Sequence, residues 1–322
     1  MVAVASRPAA ARRKPNTGTV VRCYSLFDKF FPACGLLDYT EGVYNGDPTT
    51  PYLEAQQNQI DYVLNEVGCT AGTRILEIGC GNGNLLDTAR KRRAKAIGIT
   101  ISPEQVALCR QRGLDVRLKN YLDLDDHFYK QFDAVVANGP VEHFVQPTDA
   151  AAGLASDIYR EFFEICHRLI DPFSTVRRMI TTTIHFVRAP DPNNLLKSPF
   201  SFRWGTDQFH YAMLARAFGG WYPVPGQFQE AADGLFRPIN TVDGTYDYHL
   251  TSEEWLRRIR GVLPTIKGLS ILGSTIPYAL RHPVQYFTML TCMLGSESWN
   301  WQFRGGKSAP TRLLRQTWSY KF

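Results

Sequence analysis

The sequence predicts an α/β fold in which a doubly wound sheet of parallel strands carries helices on both faces. Three observations carry this expectation. Short apolar runs of strand length alternate with amphipathic runs of helix length between about residues 51 and 186. The first apolar run, "TRILEIGCGNG", ends in closely spaced glycines, as a buried parallel strand does when it turns sharply into a helix. A later run, "STVRRMITTTIHF", is rich in β-branched residues, which fit a pleated, packed surface.

Taken in order, residues 1–22 hold five Arg or Lys, and no acid precedes Asp28. They lack both the apolar core of a secretion signal and a helical pattern, so they read as a disordered basic arm rather than a targeting peptide. Residues 23–322 read as one domain, with 23–67 as an N-terminal cap. Within the cap a helix over 51–67 places Leu53, Ile60, Val63, Leu64 and Val67 at helical spacing behind a starting Pro and stops at Gly68. The strand in "TRILEIG" follows, then the helix "NLLDTARKRRA" and the strand "KAIGIT". In "SPEQVALCRQRG", Ser102 is an N-cap, Pro103 the first helical residue, Glu104 a first-turn acid and Gly113 a stop. "LDVRLKN" and "FDAVVAN" are the third and fourth strands, the latter closing on Asn138. "ASDIYREFFEICHRLI" is the next helix and "STVRRMITTTIHF" holds the fifth strand. Residues 187–260 turn irregular and rich in Pro, Gly and aromatics, and read as an acceptor-binding insertion over the sheet's active edge. "WSYKF" supplies a last strand.

Composition narrows the class. At 322 residues and 44% hydrophobic, the chain can bury a large core. Seven widely spaced cysteines, without a CxxC or a zinc-type His spacing, read as reduced thiols of a cytoplasmic protein with no metal site. A net charge of +6 and the absence of an aromatic-plus-basic module argue against nucleic acid as partner. The apolar region from Val262 to Leu294 is broken by Lys267, Arg281, His282 and prolines, too short for a membrane span, and suits a buried wall or greasy pocket. Peripheral membrane contact and a homo-oligomer stay open.

Gly79, Gly81 and Gly83 lie between a strand and a helix, where glycine lets the backbone approach a ligand and the helix aims its first amides at the loop. The spacing is GxGxG rather than GxGxxG, and the second strand ends "GITIS" without an acid, which disfavours a dinucleotide. Glu77 on the strand, two residues before GxGxG, resembles the first motif of class I S-adenosylmethionine-dependent methyltransferases. "GITISPEQ", "VEHF", "YTEGVYNGDPTTPYLEAQ" and "DYHLTSEEW" resemble motifs of the cyclopropane-fatty-acid synthase-like branch, in the same order, over about residues 24 to 322.

That resemblance implies a Rossmann-like class I methyltransferase fold and S-adenosyl-L-methionine as cofactor. It implies that Tyr39 and Thr40 close over the methionine end, that Glu77, Gly79, Gly81, Gly83 and Asn138 lie along the cofactor, and that Thr100, Ile101 and Gln105 hold the ribose region. Tyr121 and Asp123 fall at the adenine site, where the family often has a Trp-Glu pair. The implied reaction is C-methylation or cyclopropanation of a hydrophobic, unsaturated small-molecule or lipid acceptor.

Methylating an alkene requires a proton to leave afterwards. In cyclopropane synthases a bicarbonate takes it, and the resemblance matches Glu142, His185 and Tyr248 to the groups that hold it. Glu41 stands at the family's Cys position. A second carboxylate near Glu142 would repel the anion and raise one carboxyl's pKa. Either Glu41 points away, or bicarbonate is absent and a carboxylate is itself the base; the second is the favoured reading. His143, beside Glu142, reads as structural. Trp204, Phe209, Tyr211, Trp221 and Tyr222 are candidates for the acceptor pocket. Two alternatives remain: a C- or N-methyltransferase of a small specialised metabolite of prenyl or alkaloid type, and a non-catalytic cofactor-binding interaction subunit.

Overall fold

The computed structural model describes residues 17–322. Most of the expected basic arm, residues 1–16, lies outside the described residues, and its expected end at 22 is too late. Helix α1 runs Gly18–Phe30 and buries Val20, Cys23, Leu26, Phe27 and Phe30. It is followed by α2 (Tyr52–Glu66), β1 (Arg74–Ile78), α3 (Asn84–Lys91), β2 (Lys95–Thr100), α4 (Pro103–Gln111), β3 (Val116–Leu118) and β4 (Ala134–Asn138). Next come α5 (Pro147–Ala151), α6 (Ala155–Leu169), β5 (Arg178–Phe186), α7 (Pro192–Leu195), α8 (Asp207–Phe218) and α9 (Gln227–Ala232). The chain closes with β6 (Phe236–Asp243), α10 (Thr245–Val262), α11 (Ile266–Arg281), α12 (Pro283–Leu290), α13 (Ser298–Trp301) and β7 (Thr311–Tyr320).

The seven strands form one sheet in the order β3-β2-β1-β4-β5-β7-β6. Strands β1 to β5 are parallel, and β7 runs antiparallel to both β5 and β6. The order reverses between β1 and β4, and the carboxyl ends on either side of that point leave a crevice for a ligand. On one face Ile60, Val63 and Leu64 of α2 meet Ile75, Val136 and Ile180. On the other, Phe162 and Phe163 of α6 and Phe228 of α9 meet Val135, Met179 and Trp318. Each fully buried side chain of this size contributes about 1.5–3 kcal/mol over exposure, so both helical layers are firmly seated.

Three expectations need correcting. Leu53 points to solvent at 54% exposure, because α2 turns Tyr52, Ala55, Gln56 and Gln59 inward beside Ile60. The region 187–260 is not irregular: it holds α7, α8, α9, most of α10 and the strand β6. Strand β6 carries Pro238 at a register shift, a residue tolerated at a sheet edge where no ladder N–H is needed. Finally, the stretch Val262–Leu294 is no buried wall throughout, since Ile266, Leu269, Leu280 and Phe287 face outward.

Candidate active site

A cleft opens at the carboxyl ends of β1, β2, β4 and β5 and encloses about 1730 Å³ of space between protein atoms, part of it open to solvent. Polar groups from the strand ends line one part. Aromatic side chains from α1, α8, α10 and the segment after α12 line the other.

The polar part begins where β1 ends. Gly79 has φ +73, and a Cβ there would lie 2.6 Å from Pro140 Cβ, so only glycine fits. Gly81, at φ +49, lies beside the Tyr39 ring. Gly83 does not line the cleft; it starts α3 at φ +76 against Leu114 and Cys109, so its role is packing. Glu77 is buried with Oε2 lacking any partner, and burial pushes its carboxyl well above the ordinary range, with Asp38 adding to the rise. Tyr39 donates its hydroxyl hydrogen to Asp28, and Thr40 lines the cleft beside it. At the end of β2, Thr100 Oγ1 donates to Gln105 Oε1 at 2.7 Å, and Ser102 caps α4 as expected by accepting the Gln105 amide. Ile101 lines the cleft between them. Asn138 accepts from Gln59 Nε2 at 2.8 Å.

Tyr121 lies parallel to Phe144 with ring centres 4.2 Å apart. Asp123 is exposed and outside the cleft, because the short turn Tyr121–Asp123 directs Tyr121 inward and Asp123 to solvent. Lys119, Asn120 and Phe144 line this end instead. The orphaned Glu77 oxygen, the glycine-only approach at Gly79 and the flat Tyr121–Phe144 pair fit a ligand with a polar end and a planar ring, as S-adenosylmethionine has.

Glu142 sits on the short turn after β4, and its Oε1 accepts the Ile184 amide at 2.8 Å. Burial pushes its carboxyl up to about 8, the Ile184 bond opposes the rise, and the charge of Glu41 adds to it. Glu41 is committed elsewhere. Arg315 Nε donates to it at 2.7 Å, and Arg315 Nη2 reaches Asp247 at 2.9 Å and the Gly42 carbonyl at 3.2 Å. Glu41 lines the cleft but closes on a buried guanidinium, so of the two candidate carboxylates Glu142 is the one left without a paired cation among the described residues.

His185 is not in the cleft. Side chains alternate along β5, so Thr182 and Ile184 face the cleft while His185 turns to the opposite face and rests on Phe228 at 4.9 Å between ring centres. Burial lowers its imidazole to about 3. The group that β5 does offer is Thr182, whose buried hydroxyl has no partner. Counting alternate residues back from the strand's end would have found it.

Tyr248 lines the cleft, its ring stacked on Phe303 at 4.1 Å, while Tyr246 is exposed. His143 accepts the Tyr24 hydroxyl on Nε2 at 3.0 Å and shares the Gly219 carbonyl through Nδ1 at 3.2 Å. With both nitrogens used and burial lowering it to about 4, the ring is a neutral fastener for α1. Of the aromatic candidates only Tyr222 reaches the cleft; Phe209, Tyr211 and Trp221 are core and Trp204 is exposed. Phe27, Phe31, Phe218, Trp255 and Trp299 take their place. No local pattern marks these residues, because they meet only in the folded chain.

The family model for mycolic acid cyclopropane synthetase matches residues 11–191. A probable fatty acid methyltransferase of Pseudomonas putida is 38% identical over 109 residues, 31% of this chain and 27% of that protein. Cyclopropane mycolic acid synthase 2 of Mycobacterium leprae (strain TN) is 29% identical over 218 residues, 62% of this chain and 68% of that one. Among solved structures, a mycolic acid cyclopropane synthase complexed with SAH and CTAB superposes with a TM-score of 0.68 at 21% identity, covering 97% of this chain and 100% of that one. The shared architecture is the Rossmann-like class I methyltransferase fold.

Proposed function

The chain belongs to the mycolic acid cyclopropane synthetase family, and on that premise we propose that it is an S-adenosylmethionine-dependent methyltransferase acting on a hydrophobic, unsaturated acceptor, with Glu142 as the proton acceptor. The observation that carries this reading is the place of Glu142: a buried carboxylate lining the cleft that joins the glycine loop to the aromatic walls, without a cation paired to it among the described residues.

S-adenosylmethionine supplies an electrophilic methyl group on a sulfonium. Asp38, Glu77, Thr100, Gln105 and the Tyr121–Phe144 pair would hold it. Tyr222, Tyr248, Trp255 and Phe303 exclude water around the acceptor, and holding it in place can supply ~7–11 kcal/mol of the barrier. Glu142 Oε2, the oxygen not bonded to Ile184, takes the proton that the methylated acceptor must lose. A carboxylate poised near 8 is a stronger proton acceptor than an ordinary one and is still ionised in part at neutral pH.

The residues do not fit bicarbonate. Of the groups matched to its holders, His185 faces away, and the position where the family has a Cys is filled by Glu41, closed on Arg315. We assign proton removal to Glu142 alone.

Walls rich in aromatic rings favour a second reading, a compact prenyl-type or alkaloid-type acceptor whose positive charge, developing on methyl transfer, would face the rings of Tyr222, Tyr248 and Trp255. Incubation with methyl-labelled cofactor, offering unsaturated phospholipid, free isoprenoids and alkaloid amines separately, tests both. Label in acyl chains supports the first reading and label in isoprenoid or amine the second. No transfer to any of them, with S-adenosylhomocysteine failing to bind, contradicts the methyltransferase assignment itself.

A further inference from the structure

The last two long helices expose what helices in water normally hide. On α11, Ile266, Leu269, Ile276 and Leu280 fall within about 80° of one another around the axis at 3.6 residues per turn. Gly268, Ile271 and Thr275, on the opposite side, face the protein. Helix α12 packs against α11 and adds Val284 and Phe287. These six outward side chains are between 54% and 87% exposed. A grouped apolar surface of this kind marks an interaction site.

Its surroundings are basic. No Asp or Glu occurs between Glu254 and Glu297, while Lys267 and Arg281 stand exposed near the two ends of α11. Beside Val284 a groove is lined by Arg22, Arg216 and His282 with Thr19, Gln146 and Gln285, and no acid lines it among the described residues. No described helix is long and apolar enough to cross a membrane. An apolar stripe edged by cations is the pattern of a helix that lies in the plane of a membrane surface.

We propose that the α11–α12 face, with the Arg22, Arg216 and His282 groove beside it, docks the protein on an anionic lipid bilayer. The apolar stripe enters the boundary of the acyl region and the cations meet lipid phosphates. A second copy of this chain is a poor occupant, because a symmetric pairing would bring the same cations together. Helix α1 packs on both α11 and α12, and the Tyr278 hydroxyl donates to the Arg22 carbonyl at 2.9 Å. Since Val20, Val21 and Tyr24 of α1 line the cleft, the docked face lies one helix away from it. The docking rests on this surface alone and goes beyond the proposed reaction.

Flotation of the full chain with phosphatidylcholine vesicles, with and without phosphatidylglycerol, tests it. Binding should be at least roughly tenfold stronger with phosphatidylglycerol and should weaken with salt. Leu269→Glu with Leu280→Glu should abolish it, and Arg216→Glu with Lys267→Glu should weaken it more than tenfold, at about fivefold or more per cation. Thermal unfolding checks that the variants fold; Ile266→Ser with Leu280→Ser replaces the first pair if it does not. Equal binding to both vesicles, unchanged binding by the folded variants, or no vesicle binding together with a dimer that these substitutions dissolve would each overturn the proposal.

Discussion

Arg315 on β7 and Glu41 on the loop after α1 form a buried ion pair, 2.7 Å between Nε and the carboxylate, from positions 274 residues apart. The pair fastens the loop over the cleft to the antiparallel end of the sheet, with Asp247 of α10 as a third member. Burial raises the Glu41 carboxyl and the guanidinium opposes that rise. Removing one partner strands a buried charge, so Arg315→Met is expected to cost about 3–5 kcal/mol. The double variant Arg315→Met with Glu41→Leu should recover part of that loss. Urea unfolding of the parent, of Arg315→Met and Glu41→Leu singly, and of the double variant measures it; a double variant as unstable as the sum of the singles would show that the pair is not coupled.

The Glu142 carboxyl, raised to about 8, makes two pH predictions. As proton acceptor it must be ionised, so kcat/KM should fall about tenfold for each pH unit below about 8. For stability the sign is opposite. A folded-state pKa above the ordinary value gives stability that is full below the ordinary carboxylate range and is lost as pH rises through about 8. Glu142→Gln removes that loss, so its stability relative to the parent should increase from about pH 5 to about pH 9. Unfolding at both pH values checks this, and a constant difference would contradict it.

The fold turns His185, matched by resemblance to a site group, away from the cleft and puts Thr182 in its lining. With His185 on the Phe228 side of the sheet, His185→Phe should leave turnover within about threefold of the parent. Thr182→Val removes the unpartnered hydroxyl in the cleft and should lower turnover ~3–10-fold, the weight of one hydrogen bond. Steady-state rates of both variants decide, and the reverse ranking would place the β5 contribution on His185.

At Gly79 the positive φ and the 2.6 Å approach to Pro140 act together. Gly79→Ala should lose at least ~1–3 kcal/mol of stability and weaken S-adenosylhomocysteine binding more than tenfold. Calorimetric titration reads the second effect. Binding at full strength would mean that the loop does not approach the ligand.

Much of this was legible in local pattern. The glycine loop, the Ser102 cap and the place of Glu142 after β4 follow from strand, turn and helix signals within a few residues. The choice of Tyr248 over Tyr246 agrees with their exposure. What was hidden depends on strand parity or on distance along the chain. The resemblance matches His185 to a site group, but which face it takes depends on strand parity counted from Thr182. Strand β6 was masked by Pro238, which reads as a breaker unless the strand is known to lie at an edge. Arg315, the partner of Glu41, and Trp299 and Phe303 in the cleft come from the far end of the chain, where no short window links them to the loop they meet.

The assignment of Glu142 is tested most directly by measuring, on Glu142→Gln, both S-adenosylhomocysteine affinity and single-turnover methyl transfer to whichever acceptor takes label. Affinity within about threefold of the parent with transfer slowed by ~10²–10⁴ is expected of a proton acceptor. Transfer at the parent rate would contradict it and leave Glu142 a structural anchor of the Ile184 amide.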